Sequence, residues 1–279
     1  MKHGMTGRQS MAQQSPETIL REMIPIIKEA GRIMTDAVHI EETVEEKSGR
    51  SNFVTAYDKK VQSFLFEKLA AVLPEAVFIG EEEEEHPALL EGHTFIIDPI
   101  DGTTNFMKGY CTSCISVGLL KDGVPEIGVV YNPYLKELFF AVKGKGAFRN
   151  EEPIHVSDHD LKEGLVLFGT APYNEELARR SFEWAYQLFI RSMDVRRSGS
   201  AAIDLCNIAC GRAEFYFELL LSPWDYAAGA LILTEAGGRI STTEEKELSF
   251  DKKCGVAAGN PKAMETWRLL RKEGVFQIN

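Results

Sequence analysis

The chain has 279 residues, 44 % of them hydrophobic and 26 % charged, and its 42 acidic against 31 basic side chains give a formal charge of −11. This composition excludes a disordered chain, and the length suits one large domain or two intimate ones. The acidity argues against a binder of nucleic acid polymers or anionic membranes, and the longest uncharged stretch, Gly109 to Leu120, is too short to cross a bilayer.

Residues 1–15 are polar and carry no apolar signal segment, so a flexible N-terminus and a cytoplasmic location are expected. Ser15-Pro16-Glu17 then supplies an N-cap, a first-turn proline and a first-turn acid. Ile19, Met23, Ile26, Ile27, Ala30, Ile33, Met34 and Ala37 recur at steps of three and four. This spacing predicts a helix with one buried face, kinked or divided at Pro25. The charged run from Glu41 to Arg50 reads as an exposed, mobile loop. A second helix begins near Thr55 to Asp58 and buries Val61, Phe64, Leu65, Leu69 and Val72.

Strands follow. Val77-Phe78-Ile79 and Phe95-Ile96-Ile97 are short apolar runs suited to buried strands. Residues 112–120, 126–131 and 137–142 are separated by Asp122-Gly123 and Asn132-Pro133 turns, the spacing of an antiparallel meander. Beyond residue 155, strands at 166–169, 194–197 and 213–217 alternate with helices at 175–191, 200–211, 224–236 and 261–273. An antiparallel half followed by an alternating half predicts a layered α/β architecture. The five cysteines do not make a disulfide framework. Cys111 and Cys114 read as two small buried side chains of a strand, and Cys206 and Cys210 as helix core.

The segment Ile96-Ile97-Asp98-Pro99-Ile100-Asp101-Gly102-Thr103-Thr104-Asn105-Phe106 carries the chemistry. Two carboxylates three apart follow a buried strand, and Pro99 stiffens the turn between them. Gly102-Thr103-Thr104 then opens a short helix, whose free N–H groups suit phosphate oxygens. Carboxylates beside a phosphate cradle make sense when hard divalent cations such as Mg²⁺ lie between. Glu81 follows Ile79-Gly80 at a strand end, the usual place for a site in α/β proteins, whereas Glu83 to Glu85 read as a solvated face. Asp225 opens an apolar helix, where an N-cap role and metal binding are compatible because a carboxylate has two oxygens.

In this order the motifs resemble the inositol monophosphatase family of Mg²⁺-dependent, lithium-sensitive phosphatases, over nearly the whole chain after Pro16. Asp98 to Phe106 is similar to the first family signature, Trp224-Asp225 through Gly238 to the second, and Gly80-Glu81-Glu82 to the upstream glutamate motif. Lys47 with Val54-Thr55-Ala56-Tyr57-Asp58 resembles the mobile loop and the aspartate that closes it. The resemblance implies a first metal on Glu81, Asp98 and the Ile100 carbonyl, and a second on Asp98, Asp101 and Asp225. A third, weaker ion would lie near Glu81 and the mobile loop. It implies phosphate contacts from Gly102 and Thr103. Water would be activated by Glu81 and Thr103, with Asp58 bonded to Thr103. Thr55-x-x-Asp58 is equally a capping-box pattern, which would make Asp58 structural.

The leaving-group side is read from Glu218, seven residues before Asp225, which matches the family glutamate that contacts inositol hydroxyls. It is also readable as a charged strand end. Gly199-Ser200-Ala201 resembles the segment that lines the inositol pocket, and Arg196 and Arg197 would meet a second phosphate or balance nearby acids. The expected function is Mg²⁺-dependent hydrolysis of myo-inositol monophosphate or a similar small polyol or sugar phosphate by direct attack of water. Fructose-1,6-bisphosphate and 3′-phosphoadenosine 5′-phosphate are the alternative substrates, and a sensor or scaffold that keeps the fold is the non-enzymatic one. The expected fold is α/β, of the α+β type. It is a layered α-β-α-β-α sandwich with an antiparallel N-terminal sheet and a second, mixed C-terminal sheet. Residues 16–154 would hold the metal and phosphate groups, and residues 155–279 would add Asp225 and the substrate pocket. A homodimer is implied.

Overall fold

The computed structural model describes residues 14–46, 53–83, 87 and 91–276. The first helix, α1 (Pro16–Thr35), starts where Ser15 Oγ accepts the Thr18 amide at 3.3 Å. It buries Ile19, Met23, Ile27, Ala30 and Met34 on one face. It is not divided at Pro25, which removes one of the two outcomes expected there. Pro25 sits on the exposed face, so the turn lost to its missing N–H is outweighed by continuous burial on the other side. A short hairpin of β1 (Val44–Glu46) and β2 (Phe53–Thr55) leads into α2 (Ala56–Val72), which Thr55 caps. The expected loop thus holds strand residues at its start. Lys47, the sequence's mobile-loop residue, lies outside the described residues.

Seven strands then form one sheet in sequence order: β3 (Val77–Gly80), β4 (His93–Asp101), β5 (Cys114–Lys121), β6 (Val124–Asn132), β7 (Glu137–Val142), β8 (Ala147–Arg149) and β9 (Glu152–Ile154). Each neighbouring pair is antiparallel except β3 and β4, which are parallel. A short helix, α3 (Thr103–Met107), interrupts the run after β4. The second sheet has the order β11-β10-β12-β14-β13, built from β10 (Leu165–Phe168), β11 (Asp194–Arg196), β12 (Phe215–Leu221), β13 (Arg239–Thr242) and β14 (Cys254–Gly259). It is mixed, with β10 parallel to β11 and β12, and β14 antiparallel to β12 and β13. The remaining helices are α4 (Glu175–Phe189), α5 (Ala201–Ala209), α6 (Pro223–Glu235) and α7 (Pro261–Lys272).

Strand alternation sets the layers. From β4, Phe95 and Ile97 point to α1 and α2, while Ile96 points to α6. From β12, Phe215 and Phe217 point to Trp184 of α4 and Trp267 of α7, while Tyr216 points to α5 and α6. The order is therefore helices α1 and α2, the seven-stranded sheet, helices α5 and α6, the five-stranded sheet, and helices α4 and α7. This is the expected five-layer sandwich. Among the described residues no helix is long and apolar enough to cross a membrane.

The middle layer is unusually close to the first sheet. Gly118 and Gly128 pair across β5 and β6 beneath α6. A β-carbon at residue 128 would lie 2.6 Å from the Ala228 carbonyl oxygen, and one at residue 118 would lie 3.1 Å from the Ala227 β-carbon. Here the helix rests on backbone, and only glycine leaves room. One reading of the cysteines changes. Cys114 is buried in β5, but Cys111 is exposed at φ 57° in the loop before it. The left-handed backbone there ends the strand pattern assumed for both. Gly128→Ala should destabilise the fold by about 1–3 kcal/mol through overpacking. Urea denaturation checks this, and an unchanged midpoint and slope would refute it.

Candidate active site

The site begins with an irregularity in β4. In a regular strand, residues three apart point to opposite faces. The β4–β5 register shifts between Asp98, opposite Ser116, and Asp101, opposite Cys114. Ile100 is buried with the α1 and α2 core, while Asp98 and Asp101 both line a cavity of about 350 Å³. The bulge in Asp98-Pro99-Ile100-Asp101 thus turns both acids to one side. The Ile100 amide donates to Asp98 Oδ1 at 3.0 Å and holds the turn.

Other elements end at the same cavity. The Glu81 amide continues the β3–β4 ladder by donating to the Ile97 carbonyl at 3.1 Å, which leaves the side chain at the cavity. Gly102, at φ 88°, is the N-cap of α3, followed by Thr103. Thr103 Oγ1 lies within donating distance of Asp58 Oδ1 at 3.3 Å and of the Ile100 carbonyl at 3.2 Å. Asp58 Oδ2 also accepts the Thr55 amide at 2.8 Å and the Thr55 hydroxyl at 2.5 Å. The two readings of Asp58 are therefore not rivals: one oxygen closes the capping box and the other faces Thr103. Asp225 is the third residue of α6, not its N-cap. Ser222 is the cap, and its amide donates to Asp225 Oδ2 at 2.6 Å.

From the C-terminal side, Ser200 caps α5 and its hydroxyl donates to Asp101 Oδ2 at 2.6 Å, joined by the Ala202 amide at 2.8 Å. Asn105 Nδ2 donates to the Thr112 and Ser198 carbonyls at 2.7 and 2.9 Å, which ties α3 to the 198–200 segment. Gly199, Ser200, Ala201 and Glu218 all line the cavity. Glu218 is buried and engaged: its Oε1 accepts the Ala171 amide at 2.9 Å and its Oε2 the Tyr216 hydroxyl at 2.7 Å. Among the described residues Arg197 has one hydrogen bond, from Nε to Thr170 Oγ1 at 3.2 Å, whereas Arg196 is exposed and paired with Asp194.

The acids sense one another. Burial, then the charge of Glu81, pushes the carboxyls of Asp98 and Asp225 well above the ordinary range. Burial raises Asp101 to about 6 against the Ser200 and Ala202 donors. It raises Asp58 to about 7 against the bonds from Thr55. Sequence reasoning missed Asp204, a buried acid of α5 that lines the same cavity and whose Oδ1 has no partner among the described residues. Its signal was present as the one charge in the apolar run Ala201 to Ala209. Tyr173, in the loop after β10, was missed as well.

The donor set is all oxygen, four carboxylates and the Ile100 carbonyl, which is the chemistry of a hard divalent cation. Among the described residues no three acid, histidine or cysteine side chains already form a ready ligand group. The fit is therefore one of donor type and charge: buried acids that hold protons for want of compensation.

The family model of the inositol monophosphatase family matches residues 15–273. The chain belongs to the inositol monophosphatase family. It is accordingly an enzyme, a hydrolase of phosphoric monoesters. The inositol-1-monophosphatase of Bacillus subtilis is 36 % identical over 241 residues, which cover 86 % of this chain and 91 % of that protein. Inositol monophosphatase 3 of Solanum lycopersicum is 37 % identical over 257 residues, 90 % of this chain and 95 % of that one. The solved inositol monophosphatase of Anabaena superposes with a TM-score of 0.81 at 33 % identity, covering 92 % of this chain and 96 % of that one.

The raised carboxyls have a consequence for stability. With Asp58 at about 7 and Asp101 at about 6, the folded chain keeps protons that the unfolded chain has released above about 4. Their contribution is complete below the ordinary carboxylate range and is lost as pH rises through about 6 to 7. Chelator-treated protein should therefore melt at lower temperature at pH 7.5 than at pH 5, and Asp58→Asn should flatten that slope. A melting temperature that stays level or rises over this window in the parent chain would contradict the account.

Proposed function

We propose that the chain hydrolyses myo-inositol monophosphate, or a similar small polyol phosphate, with two or three Mg²⁺ ions per site. The observation that carries this reading is the gathering of Glu81, Asp98, Asp101 and Asp225 around one cavity, with the carboxyls of the three aspartates raised. The names of the Bacillus and Solanum relatives support the inositol substrate. Glu81, Asp98 and the Ile100 carbonyl would hold one ion, and Asp98, Asp101 and Asp225 a second. Bound Mg²⁺ supplies positive charge for the phosphate and acidifies water.

The chain's own groups do the rest. Gly102 and Thr103 present amides to the phosphate oxygens at the start of α3. Thr103 Oγ1, donating to Asp58 Oδ1, keeps its lone pairs for the proton of the attacking water. Glu81 takes part as the general base at the cavity end of β3. Attack is direct, in line with the leaving alkoxide, with no covalent phosphoenzyme. Glu218, Gly199, Ser200 and Ala201 line the leaving-group side. Glu218 accepts polyol hydroxyls on the lone pairs that Ala171 and Tyr216 leave free. Lithium inhibition at the second ion position belongs to the same reading.

We further propose a homodimer. Phe182, Tyr186, Phe189, Ile190 and Met193 stand exposed at three- and four-residue steps along α4 and just beyond it. An exposed apolar row of this length supports a covered face. Light scattering should give twice the single-chain mass at micromolar concentration, and a single-chain mass would remove the dimer.

The reaction is tested with Mg²⁺ and a panel of inositol-1-phosphate, fructose-1,6-bisphosphate and 3′-phosphoadenosine 5′-phosphate. Inositol-1-phosphate should be hydrolysed with the highest kcat/KM, and Asp98→Asn should lower kcat by at least about 100-fold. A different preferred substrate would move the specificity, substantial turnover by Asp98→Asn would sink the ligand assignment, and no phosphate release at all would favour a scaffold.

A further inference from the structure

The cavity has a component that the hydrolytic roles leave unused. Tyr173 lines it, yet 57 % of the residue's surface is exposed. Its phenol has no hydrogen-bond partner among the described residues. Burial, and the charges of Glu81, Asp225, Glu218 and Asp98, push that phenol up. The polar end of the side chain therefore senses the acids while much of the residue remains open to solvent. Pro172 and Leu220 add further apolar surface to the lining.

The loop that carries Tyr173 is held in place. The Gly169 amide donates to the Phe217 carbonyl at 3.0 Å, and a β-carbon at residue 169 would collide with the Glu218 carboxylate. The Ala171 amide donates to that same carboxylate at 2.9 Å. Ala171 adopts φ 42°, a left-handed conformation that is unfavourable for a residue with a β-carbon and persists where surroundings impose it. The Asn174 amide then closes the turn on the Ala171 carbonyl at 3.0 Å, and Asn174 caps α4. Tyr173 thus sits in a tight turn pinned to Glu218 on one side and to a helix start on the other.

We propose that Tyr173 is a specificity-determining residue that contacts the leaving group, its ring covering the alcohol and its phenol donating a hydrogen bond to one of the alcohol's oxygens. An aromatic ring with a polar tip suits a ring alcohol, whose C–H face it covers while the hydroxyl pairs at the edge. This inference rests on the phosphomonoesterase reading of the cavity. It adds that leaving groups too small to reach Tyr173 are poor substrates for lack of this contact.

The test compares the parent chain with Tyr173→Phe and Tyr173→Ala in the presence of Mg²⁺. KM and kcat are measured for inositol-1-phosphate, and inorganic phosphate is titrated as a product inhibitor. Losing one hydrogen bond corresponds to a factor of about 2–10, so Tyr173→Phe should raise KM by that much. Tyr173→Ala should raise it more than about tenfold. The inhibition constant of inorganic phosphate, which lacks the alcohol, should stay within twofold in both. An unchanged KM in Tyr173→Ala overturns the proposal. So does an equal weakening of inorganic phosphate, which would place Tyr173 on the phosphate or on the fold. An active parent with unchanged variants removes Tyr173 alone, whereas a parent that releases no phosphate from any monoester removes the reading beneath it.

Discussion

Carboxylates that leave water together repel one another, and in this chain that repulsion is arranged rather than avoided. An ionised carboxylate taken into a protein interior costs several kcal/mol unless something compensates it. Here four buried acids receive partial compensation from backbone amides or a hydroxyl. The Ile100 amide serves Asp98, Ser200 and the Ala202 amide serve Asp101, the Ser222 amide serves Asp225, and Thr55 serves Asp58. These donors fix where each carboxylate stands without neutralising the group as a whole. What remains is a residual demand for positive charge, and that demand is the physical ground for the proposed cation site.

The donors to Asp101 come from far along the chain. Asp101 lies at the end of β4, but its donors belong to the first turn of α5, about a hundred residues later. Asp225 reaches the same cavity from α6, which lies between the two sheets. The site is thus a property of the interface between layers, and neither sheet contains it. The negative formal charge of −11 described the surface well and said nothing of this place. Glu41, Glu45 and Glu137 are spread over the exterior in pairs with Lys108, Lys59 and Arg212. The few acids that matter for chemistry are hidden from any tally of charge.

Much of this is legible in the amino-acid sequence. Short apolar runs locate β3 and β4, turn spacing locates β5, β6 and β7, and three- and four-residue steps locate α1. What escaped did so for identifiable reasons. Strand β14 reads Cys254-Gly255-Val256-Ala257-Ala258-Gly259, with little β propensity, yet it lies between β12 and β13 because small side chains suit a position packed on both faces. Strands β1, β2, β8 and β9 are three residues each, too short for periodicity to register. Pro25 looked decisive locally but lay on a solvent face. The bulge that aims Asp98 and Asp101 was implicit in their spacing, since a pair three apart shares a strand face only if the strand is irregular. Tyr173 carried no motif, because its place depends on a turn fixed by Glu218 from another strand.

The glycine pair beneath α6 has a wider consequence. A helix seated on side chains can settle by rotamer changes, and its height above a sheet varies as those side chains breathe. A helix seated on the backbone of Gly118 and Gly128 has no such cushion. Its height is set by hard contact, like a part resting on a machined stop. Asp225 is borne on the first turn of that helix, while Asp98 and Asp101 are borne on the strand next to the stop. The spacing between carboxylates from two distant parts of the chain is thereby gauged by atomic radii rather than by adjustable side chains.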